Sequence, residues 1–431
     1  MILVLHLVFT LLAMFISAYL ARHFIFTLTA LYHEGGQTHH TPHDTVYQPN
    51  VSVLIPARNE EEVIGRILQR MTELTYSKEK LEVIVIDDAS TDLTGEIAEE
   101  FAKKHGYIKV VHRDVEDGGK GKPAALNYGL KHATGEIVYC FDADYYPQSD
   151  ILEKLTAYFT DREVGAVQGR IIVLNEPNTL VTRLVALERI GGYRVDQLAR
   201  DDLGLIPQFG GTVGGFRHSL IEFLGGWDTD MLAEDTDLTF RIYLAGYKIR
   251  YVNEAECYEE AVESWRSYWL QRCRWAKGHM QCAFRHLWPL IKSRNLRLRE
   301  KIDGFLLLNV YFVPILVGLA WILGATLCLV HSSPWITSLW VSVPIFVYSS
   351  VGNFAPFFEV GIGAYLDGRV RIYWLIPLLF LTFLFNMLIC TKALIDLCLS
   401  KITGKKQHPW AKTLHNGRGN SYIKITTKKV K

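Results

Sequence analysis

The sequence predicts an α/β fold with a mostly parallel sheet, flanked by transmembrane helices. Between residues 50 and 285, short β-branched runs alternate with segments of helical periodicity, a pattern typical of a sheet covered by helices on both faces. Apolar residues, 49% of the 431 residues, are concentrated at the two ends of the chain. The formal net charge of +1 gives no overall attraction to nucleic acid, so we expect no nucleic-acid partner.

Residues 1–32 are predicted to form an N-terminal transmembrane anchor. The segment is almost continuously apolar, with a polar interruption at Arg22 and His23. It is about as long as a membrane span requires, and no basic start precedes the apolar run as in a signal peptide. We therefore expect an uncleaved anchor.

The C-terminal part is predicted to be a membrane region over residues 303–400, joined to the α/β domain by an interfacial linker over 286–302. Its apolar segments lie at residues 305–330, 335–351 and 372–399. The tail, residues 401–431, carries eight Lys and one Arg but no acidic residue, which favours a cytoplasmic location and contact with anionic membrane lipids. If the domain is also cytoplasmic, an even number of crossings separates the two, so either the middle segment crosses twice or one segment does not cross.

Strands and helices alternate in the first half of the domain. The predicted strands lie at residues 51–55, 82–86, 108–112 and 136–141. Helices are predicted over residues 93–103 and 123–131, and a further helix is expected to begin at Asn59, whose side chain can cap it.

Polar side chains follow three of these strands. Because the carboxyl ends of parallel strands meet at one edge of a sheet, we expect these side chains to line a ligand site there. The groups are Ala57-Arg58-Asn59-Glu60, Asp87-Asp88 and Asp142-Ala143-Asp144.

Two nucleotide-binding motifs are excluded by spacing. No G-x-G-x-x-G follows the first strand, which excludes a dinucleotide site of the usual kind. Residues 118–122 lack the spacing of a P-loop, although Lys122 at the start of a helix could contact a diphosphate. Asp142 and Asp144 suit Mg²⁺ or Mn²⁺, which take oxygen ligands from one or two carboxylates and substrate phosphates.

Three further motifs lie C-terminal to these strands. The glycine-rich segment 209–217 allows the backbone to approach a ligand closely, or is a plain turn. Glu234 and Asp235 lie at the N-terminus of a helix through residues 238–245, where acidic residues need no function beyond capping the helix. The aromatic and basic segment 271–275 is typical of an interfacial helix and also of a grip on carbohydrate.

Taken in order, these blocks resemble the processive glycosyltransferases of family 2, which include cellulose, chitin, hyaluronan and poly-N-acetylglucosamine synthases. The resemblance covers residues 50–279. The blocks are Pro56-Ala57-Arg58-Asn59-Glu60, Asp87-Asp88-Ala89-Ser90, Lys122 with Asn127, Asp142-Ala143-Asp144, Glu234-Asp235 and Gln271-x-x-Arg274-Trp275.

The resemblance implies a GT-A-type nucleotide-sugar-binding domain over residues 50–285. It further implies an inverting, metal-dependent enzyme that transfers a glucose- or N-acetylglucosamine-type sugar from a UDP-sugar to a growing β-linked polysaccharide. The enzyme would be a multi-pass protein of the plasma membrane with its catalytic domain in the cytoplasm.

The resemblance also implies a role for each matched residue on the donor side. Lys122 would hold the nucleotide, and Asp142 and Asp144 would bind Mg²⁺ or Mn²⁺ and the diphosphate. The uridine would be held by Pro56, Ala57, Glu60, Asp87 and Asp88.

On the acceptor side, the resemblance makes Asp235, with its neighbour Glu234, the catalytic carboxylate that takes a proton from the acceptor hydroxyl. Arg274 would approach the diphosphate. Gln271 and Trp275 would hold the terminal sugar of the acceptor.

Two other functions remain open at the level of sequence. The first is transfer of a single sugar to a membrane lipid such as diacylglycerol or a polyprenyl phosphate. The second is a non-catalytic membrane subunit, against which the joint presence of Asp142, Asp144 and Asp235 argues. The sequence also leaves open the sugar, a homo-oligomer and any accessory subunit.

Overall fold

The computed structural model describes residues 2–34, 47–330 and 354–403. Its centre is an eight-stranded sheet with the strand order β3-β2-β1-β4-β7-β6-β8-β5. The strands are β1 Val51–Ala57, β2 Leu81–Asp87, β3 Ile108–His112, β4 Ile137–Cys140, β5 Tyr146–Pro147, β6 Val164–Val173, β7 Gly214–Arg217 and β8 Lys248–Glu259.

The sheet is mostly parallel, as the sequence predicts. Strand β1 pairs in parallel with β2 and β4, β2 with β3, and β6 with β8, whereas the pairings of β7 and β5 are antiparallel. All four predicted strands are present within two residues of the expected ends.

Helices cover both faces of the sheet. The helices of the domain are α2 Glu61–Thr72, α3 Thr94–Lys104, α4 Lys122–Leu130, α5 Ile151–Thr156, α6 Leu180–Arg189, α7 Leu198–Asp202, α8 His218–Phe223, α9 Glu234–Leu244 and α10 Trp265–Lys292. A π-helix, Ile190–Gln197, joins α6 to α7. Alternate side chains of β1 enter different cores: Val53 and Ile55 pack with α2, and Leu54 packs with α4.

The predicted N-cap at Asn59 is wrong. Asn59 has φ 53°, and its Oδ1 atom accepts a hydrogen bond from the Thr91 N–H at 2.7 Å. Helix α2 begins after Glu60 without a side-chain cap. Asn59 tolerates the left-handed conformation because its short polar side chain bonds locally, so the residue shapes the loop beyond β1 instead of starting the helix.

Three helices in the described part of the chain are long and apolar enough to cross a membrane: Ile2–Tyr32, Leu298–Leu327 and Val370–Thr403. The first is α1. The second contains α11 Leu298–Asn309 and most of α12 Val313–Leu329, and the third ends in α14 Leu379–Thr403. A shorter apolar helix, α13, spans Ala355–Leu366.

The predicted apolar segments at 305–330 and 372–399 fall in the second and third of these long helices. The predicted segment at 335–351 and the tail beyond residue 403 lie outside the described residues. The expected linker, 286–302, consists of the last turns of α10, a short connection and the first residues of α11. Its interfacial position stays a prediction.

The apolar helices pack directly on the domain. Helix α1 lies against α12, α13 and the π-helix, and α14 lies along α10. The carboxyl edge of the parallel strands and the candidate membrane helices therefore border the same space.

Candidate active site

A cavity of about 1040 Å³ opens at the carboxyl edge of the parallel strands and extends to the apolar helices. Every residue that the sequence assigned to the site lines this cavity except Asp87. The lining residues among them are Pro56, Ala57, Glu60, Asp88, Lys122, Asp142, Asp144, Glu234, Asp235, Gln271, Arg274 and Trp275.

Asp87 is directed away from the cavity. Its Oδ2 atom lies 2.8 Å from Nδ1 of His112, and its Oδ1 atom accepts the Ser90 N–H at 3.1 Å. The hydrogen bond to Asp87 is the main reason why the pKa of His112 is raised. The structure therefore gives Asp87 contacts that stabilise the end of β2 and the following turn.

Asp88 is buried at the cavity wall, and both of its carboxylate oxygens have partners. Oδ1 accepts a hydrogen bond from the Arg113 guanidinium, and Oδ2 accepts the Gly119 N–H at 3.1 Å. Sequence reasoning missed Arg113. The parallel register could have found it, because His112 lies opposite Asp87 and the residues that directly follow the two strands are Arg113 and Asp88.

Lys122, the first residue of α4, projects into the cavity. Its ammonium forms an ion pair with the Asp142 carboxylate and donates to the carbonyl oxygen of Gly211 at 2.8 Å. Burial disfavours the charge of Lys122, but Asp142 and Glu234 outweigh this effect and raise its pKa. The ammonium is thus held charged beside the predicted diphosphate position.

Asp142 and Asp144 follow β4 and face the same space. The Asp142 N–H donates to Thr212 Oγ1 at 3.0 Å, and the Asp144 carbonyl accepts from Arg66 at 2.6 Å, which fixes the turn that carries both carboxylates. No group of three His, Cys, Asp or Glu side chains within the described ranges could hold a metal ion alone. Two carboxylates suit Mg²⁺ or Mn²⁺ when a bound diphosphate supplies further oxygens, so the residues fit a metal that binds with the nucleotide.

Glu234 and Asp235 form the first turn of α9, where the helix dipole favours negative charge. The Thr236 N–H donates to Asp235 Oδ1 at 2.6 Å. Burial, and after it the charge of Asp235, raises the pKa of Glu234 to about 7. Gly211, with φ 88°, faces this turn, and a Cβ atom there would lie 3.3 Å from Asp235 Oδ2.

His279 borders Asp235 and was missed by sequence reasoning. Its ring lies 3.4 Å from Thr236 Oγ1 and 4.5 Å, between ring centroids, from Tyr311. Burial lowers its pKa, so His279 is favoured in the neutral form. The helical spacing of Gln271, Trp275 and His279, at i, i+4 and i+8, places all three on one face of α10 and was a usable signal.

Two guanidinium groups lie close to the ring of Trp275. The Arg272 carbon atom Cζ lies 4.3 Å from a ring centroid of Trp275, and that of Arg189 lies at 5.3 Å. Arg272 forms an ion pair with Glu188. Arg189 donates two hydrogen bonds to the Glu259 carboxylate, from Nε to Oε1 at 2.5 Å and from Nη2 to Oε2 at 3.0 Å. The ring is thus held in place by arginines whose charges are already neutralised.

Beside helix α1, the cavity is lined by polar pairs and by apolar side chains. Arg22 of α1 pairs with Asp196 at 3.0 Å, and His23 pairs with Glu359 of α13. Leu307, Pro314 and Ile389 are among the apolar residues that line the cavity. The polar interruption at Arg22 and His23 in the sequence was the only advance sign of this part of the site.

Comparison with known proteins identifies the domain. Residues 52–224 match the family model described as Glycosyl transferase family 2. The chain is 41% identical over 256 residues to the probable glycosyltransferase YdaM of Bacillus subtilis, which covers 58% of this chain and 60% of the relative. It is 34% identical over 267 residues to a β-monoglucosyldiacylglycerol synthase of Nostoc, covering 62% of this chain and 56% of the relative.

A poly-β-1,6-N-acetyl-D-glucosamine synthase of Staphylococcus epidermidis is 31% identical over 249 residues, which are 58% of this chain and 59% of the relative. The chain therefore spans less than two thirds of the length of these relatives.

A similar fold occurs in the mannosyltransferase PcManGT from Pyrobaculum calidifontis, solved in complex with GDP-Man and Mn²⁺. The TM-score is 0.55 at 25% identity, and the match covers 84% of this chain and 99% of that chain. This likeness confirms the predicted GT-A-type fold. The sheet, the cavity at its carboxyl edge and these matches together lead to one conclusion: residues 52–224 form a glycosyl transferase family 2 domain.

Proposed function

We propose that this protein is a membrane-embedded, metal-dependent glycosyltransferase that moves a sugar from a UDP-sugar to a growing β-linked polysaccharide of glucose or N-acetylglucosamine type. One observation carries the proposal: the predicted donor residues other than Asp87, the Glu234–Asp235 turn and residues of the apolar helices line a single cavity. A donor bound at the sheet edge and an acceptor held among these helices would therefore meet at Asp235.

The donor side of the cavity would stabilise the leaving diphosphate. Lys122 contributes a buried positive charge there, and Arg274 lines the same space. Asp142 and Asp144 would hold Mg²⁺ or Mn²⁺, which would neutralise negative charge on the diphosphate. Asp88 and the loop through Glu60 would bind the uridine.

The acceptor side would supply the base. Asp235 would take the proton from the acceptor hydroxyl as the acceptor oxygen forms a bond to the anomeric carbon and the bond from that carbon to the diphosphate breaks. Attack from the side opposite the leaving group inverts the anomeric carbon, so an α-linked donor gives a β-linked product. The Thr236 N–H, which donates to Asp235 Oδ1 at 2.6 Å, fixes the orientation of the base.

Two acceptors are supported by separate observations. The Staphylococcus relative is named for a polysaccharide product, and Trp275 in the cavity offers an aromatic surface suited to a sugar ring. The Nostoc relative is named for a glucosylated diacylglycerol, and the apolar wall at Leu307, Pro314 and Ile389 suits an acyl chain. Transfer of one sugar to a lipid is accordingly the second candidate function.

A plasma-membrane location with the catalytic domain in the cytoplasm is part of the proposal. Among the described helices, two long apolar ones follow the domain, Leu298–Leu327 and Val370–Thr403. An even number of crossings would leave the domain and the basic tail on the same side, in accordance with the positive-inside rule.

The test is a transfer assay on the full chain purified in detergent. Radiolabelled UDP-sugars are supplied with Mg²⁺ or Mn²⁺ and with diacylglycerol, a polyprenyl phosphate or sugar oligomers, and the products are separated by size. A large product from one donor supports the polysaccharide synthase, and a lipid carrying one sugar supports the second candidate. If the wild type and Asp235→Asn bind the donor equally well and neither transfers sugar to any acceptor, the protein would instead be a non-catalytic subunit.

A further inference from the structure

A loop over residues 208–213 joins the donor side of the cavity to the predicted base. On the donor side, Gly211 O accepts from the Lys122 ammonium at 2.8 Å, and Thr212 Oγ1 accepts from the Asp142 N–H at 3.0 Å. On the base side, Gly211 faces Asp235. A shift of this loop would therefore change the position of the diphosphate groups relative to the base.

The loop has a backbone conformation that costs free energy. Gly211 has φ 88°, which glycine adopts readily, but Val213 has φ 55°, which is rare for a β-branched residue. Such conformations persist when surrounding contacts over-determine them. The contacts that hold this loop are consequently of functional interest.

Gln168 on β6 supplies several of these contacts. Its Oε1 atom accepts the Gly210 N–H at 2.8 Å, and its Nε2 atom donates to Thr212 O at 3.1 Å and to Gly169 O at 2.7 Å. The amide therefore binds the backbone on both sides of Gly211. Gln168 is fully buried and is not among the residues that line the cavity, so it reaches a substrate only through the loop.

A second glutamine holds the start of the loop. Gln197, the last residue of the π-helix, accepts the Gln208 N–H at 2.9 Å and donates to Gln208 O at 2.6 Å. Gln197 lines the cavity, so a change there would also alter the cavity surface. Gln168 is the better residue to substitute, because a change there affects the reacting groups only through residues 210–212.

We propose that Gln168 is a positioning residue for sugar transfer, which fixes Gly211 so that Lys122 and Asp142 keep their position relative to Asp235. This inference rests on the proposed function. Without the side-chain amide, Lys122 and Asp142 are still present to bind the donor, but their alignment with Asp235 is lost.

The test compares Gln168→Met, which keeps the side-chain volume but loses the hydrogen bonds, with Gln168→Ala, which loses both. The matched control is Asn175→Leu, because Asn175 is also a buried amide that bonds to backbone, accepting the Ala261 N–H at 2.8 Å and donating to Ala261 O at 2.9 Å. The kcat for transfer is measured per UDP-binding site, together with the KM for the UDP-sugar. Hydrogen–deuterium exchange is followed over residues 208–213.

Both Gln168 variants should lose about 10- to 100-fold in kcat, since small misplacements of reacting groups have effects of this size, while the donor KM changes by less than about threefold. Exchange at residues 208–213 should rise in both variants and stay unchanged in Asn175→Leu. A wild-type kcat and unchanged exchange in Gln168→Met, with losses confined to Gln168→Ala, would mean that Gln168 only fills space. An equal loss of kcat in Asn175→Leu would mean that general destabilisation explains the effect.

The exchange measurement separates this inference from the proposed function. If the wild type transfers no sugar, the proposed function fails, but increased exchange at residues 208–213 in Gln168→Met still supports the positioning contact. Unchanged exchange in that variant overturns the inference whether or not transfer is observed.

Discussion

The ammonium of Lys122 is paired with the Asp142 carboxylate inside the cavity, although both groups are predicted to bind the donor. The side chains are 12% and 29% exposed, so the pair is largely shielded from water. Without a donor the two charges neutralise each other. When a donor binds, its diphosphate would pair with the Lys122 ammonium, and the Asp142 carboxylate would then be available to bind a cation.

Replacing Lys122 should therefore weaken nucleotide binding more than it disturbs the fold. Lys122→Met removes a charged hydrogen-bond donor worth about 1.5–3 kcal/mol, which corresponds to a loss of UDP affinity of roughly 10- to 100-fold. Isothermal titration with UDP and Mn²⁺ measures the loss. The control is Lys120→Met, because Lys120 is exposed and pairs only locally with Asp117. Equal affinities of the wild type and Lys122→Met would remove Lys122 from the donor site.

Glu234 should make the stability of the protein depend on pH. Burial and the neighbouring Asp235 raise its pKa to about 7 from the ordinary value of 4.5, so the folded state binds this proton more tightly than the unfolded state does. The stabilisation is complete below the unfolded pKa and is lost as pH rises through about 7. The unfolding temperature in detergent should accordingly fall across this window, and Glu234→Gln should flatten the fall.

Glu100→Gln is the matched control for this prediction. Glu100 lies on α3 and is exposed, so its removal should leave the pH dependence of unfolding unchanged. If Glu234→Gln follows the wild-type curve across the window, Glu234 does not carry the extra proton.

The sequence was sufficient to predict which edge of the sheet carries the cavity, but it did not predict the direction in which each side chain points. Hydrophobic periodicity located β1 to β4, and acidic residues at strand ends indicated the cavity. Both Asp87 and Asp88 were assigned to the nucleotide, yet only Asp88 faces the cavity. Successive residues of an extended chain point to opposite sides, so only one of two adjacent aspartates faces the cavity.

Contacts between distant residues could not be predicted. Arg22 and Asp196 are 174 positions apart, and His23 and Glu359 are 336 apart. No local pattern encodes such pairs, because they arise from the way α1 and α13 pack on the π-helix. Gln168 was missed for a related reason: a lone glutamine in a buried strand carries no motif, and its role depends on a loop 40 residues later.

Gly211 should be intolerant of a side chain because of what lies beside it. Gly211→Ala introduces a Cβ atom 3.3 Å from Asp235 Oδ2 at a residue with φ 88°, so the loop or the base must move. We expect transfer to fall by roughly 10-fold or more with UDP affinity nearly unchanged, since misplacing a catalytic group lowers kcat.

Gly225→Ala provides a matched comparison for Gly211→Ala. Gly225 has φ 80°, so alanine is disfavoured there to a similar degree, but a Cβ atom would have no neighbour within 4 Å. Each substitution should cost about 1–2 kcal/mol of stability, and only Gly211→Ala should reduce transfer per folded molecule. Equal activity losses would show that backbone strain, and not the contact with Asp235, is responsible.

Loss of one partner of the buried ion pair between Arg200 and Asp303 should destabilise the protein more than loss of both partners. The pair joins α7 to α11 with side chains 3% and 4% exposed, and Asp303 also accepts the Ile206 N–H at 3.2 Å. Asp303→Leu leaves the Arg200 charge buried without its partner and should cost about 3–5 kcal/mol of stability, measured by unfolding in detergent.

The double variant Arg200→Met/Asp303→Leu should recover most of this loss, though not all, because the Ile206 N–H loses its acceptor. Lys154→Met, in the half-buried surface pair of Lys154 with Asp150, should change stability by less than about 1 kcal/mol. A double variant as unstable as Asp303→Leu alone would mean that the Ile206 contact, and not the stranded arginine charge, dominates at this junction.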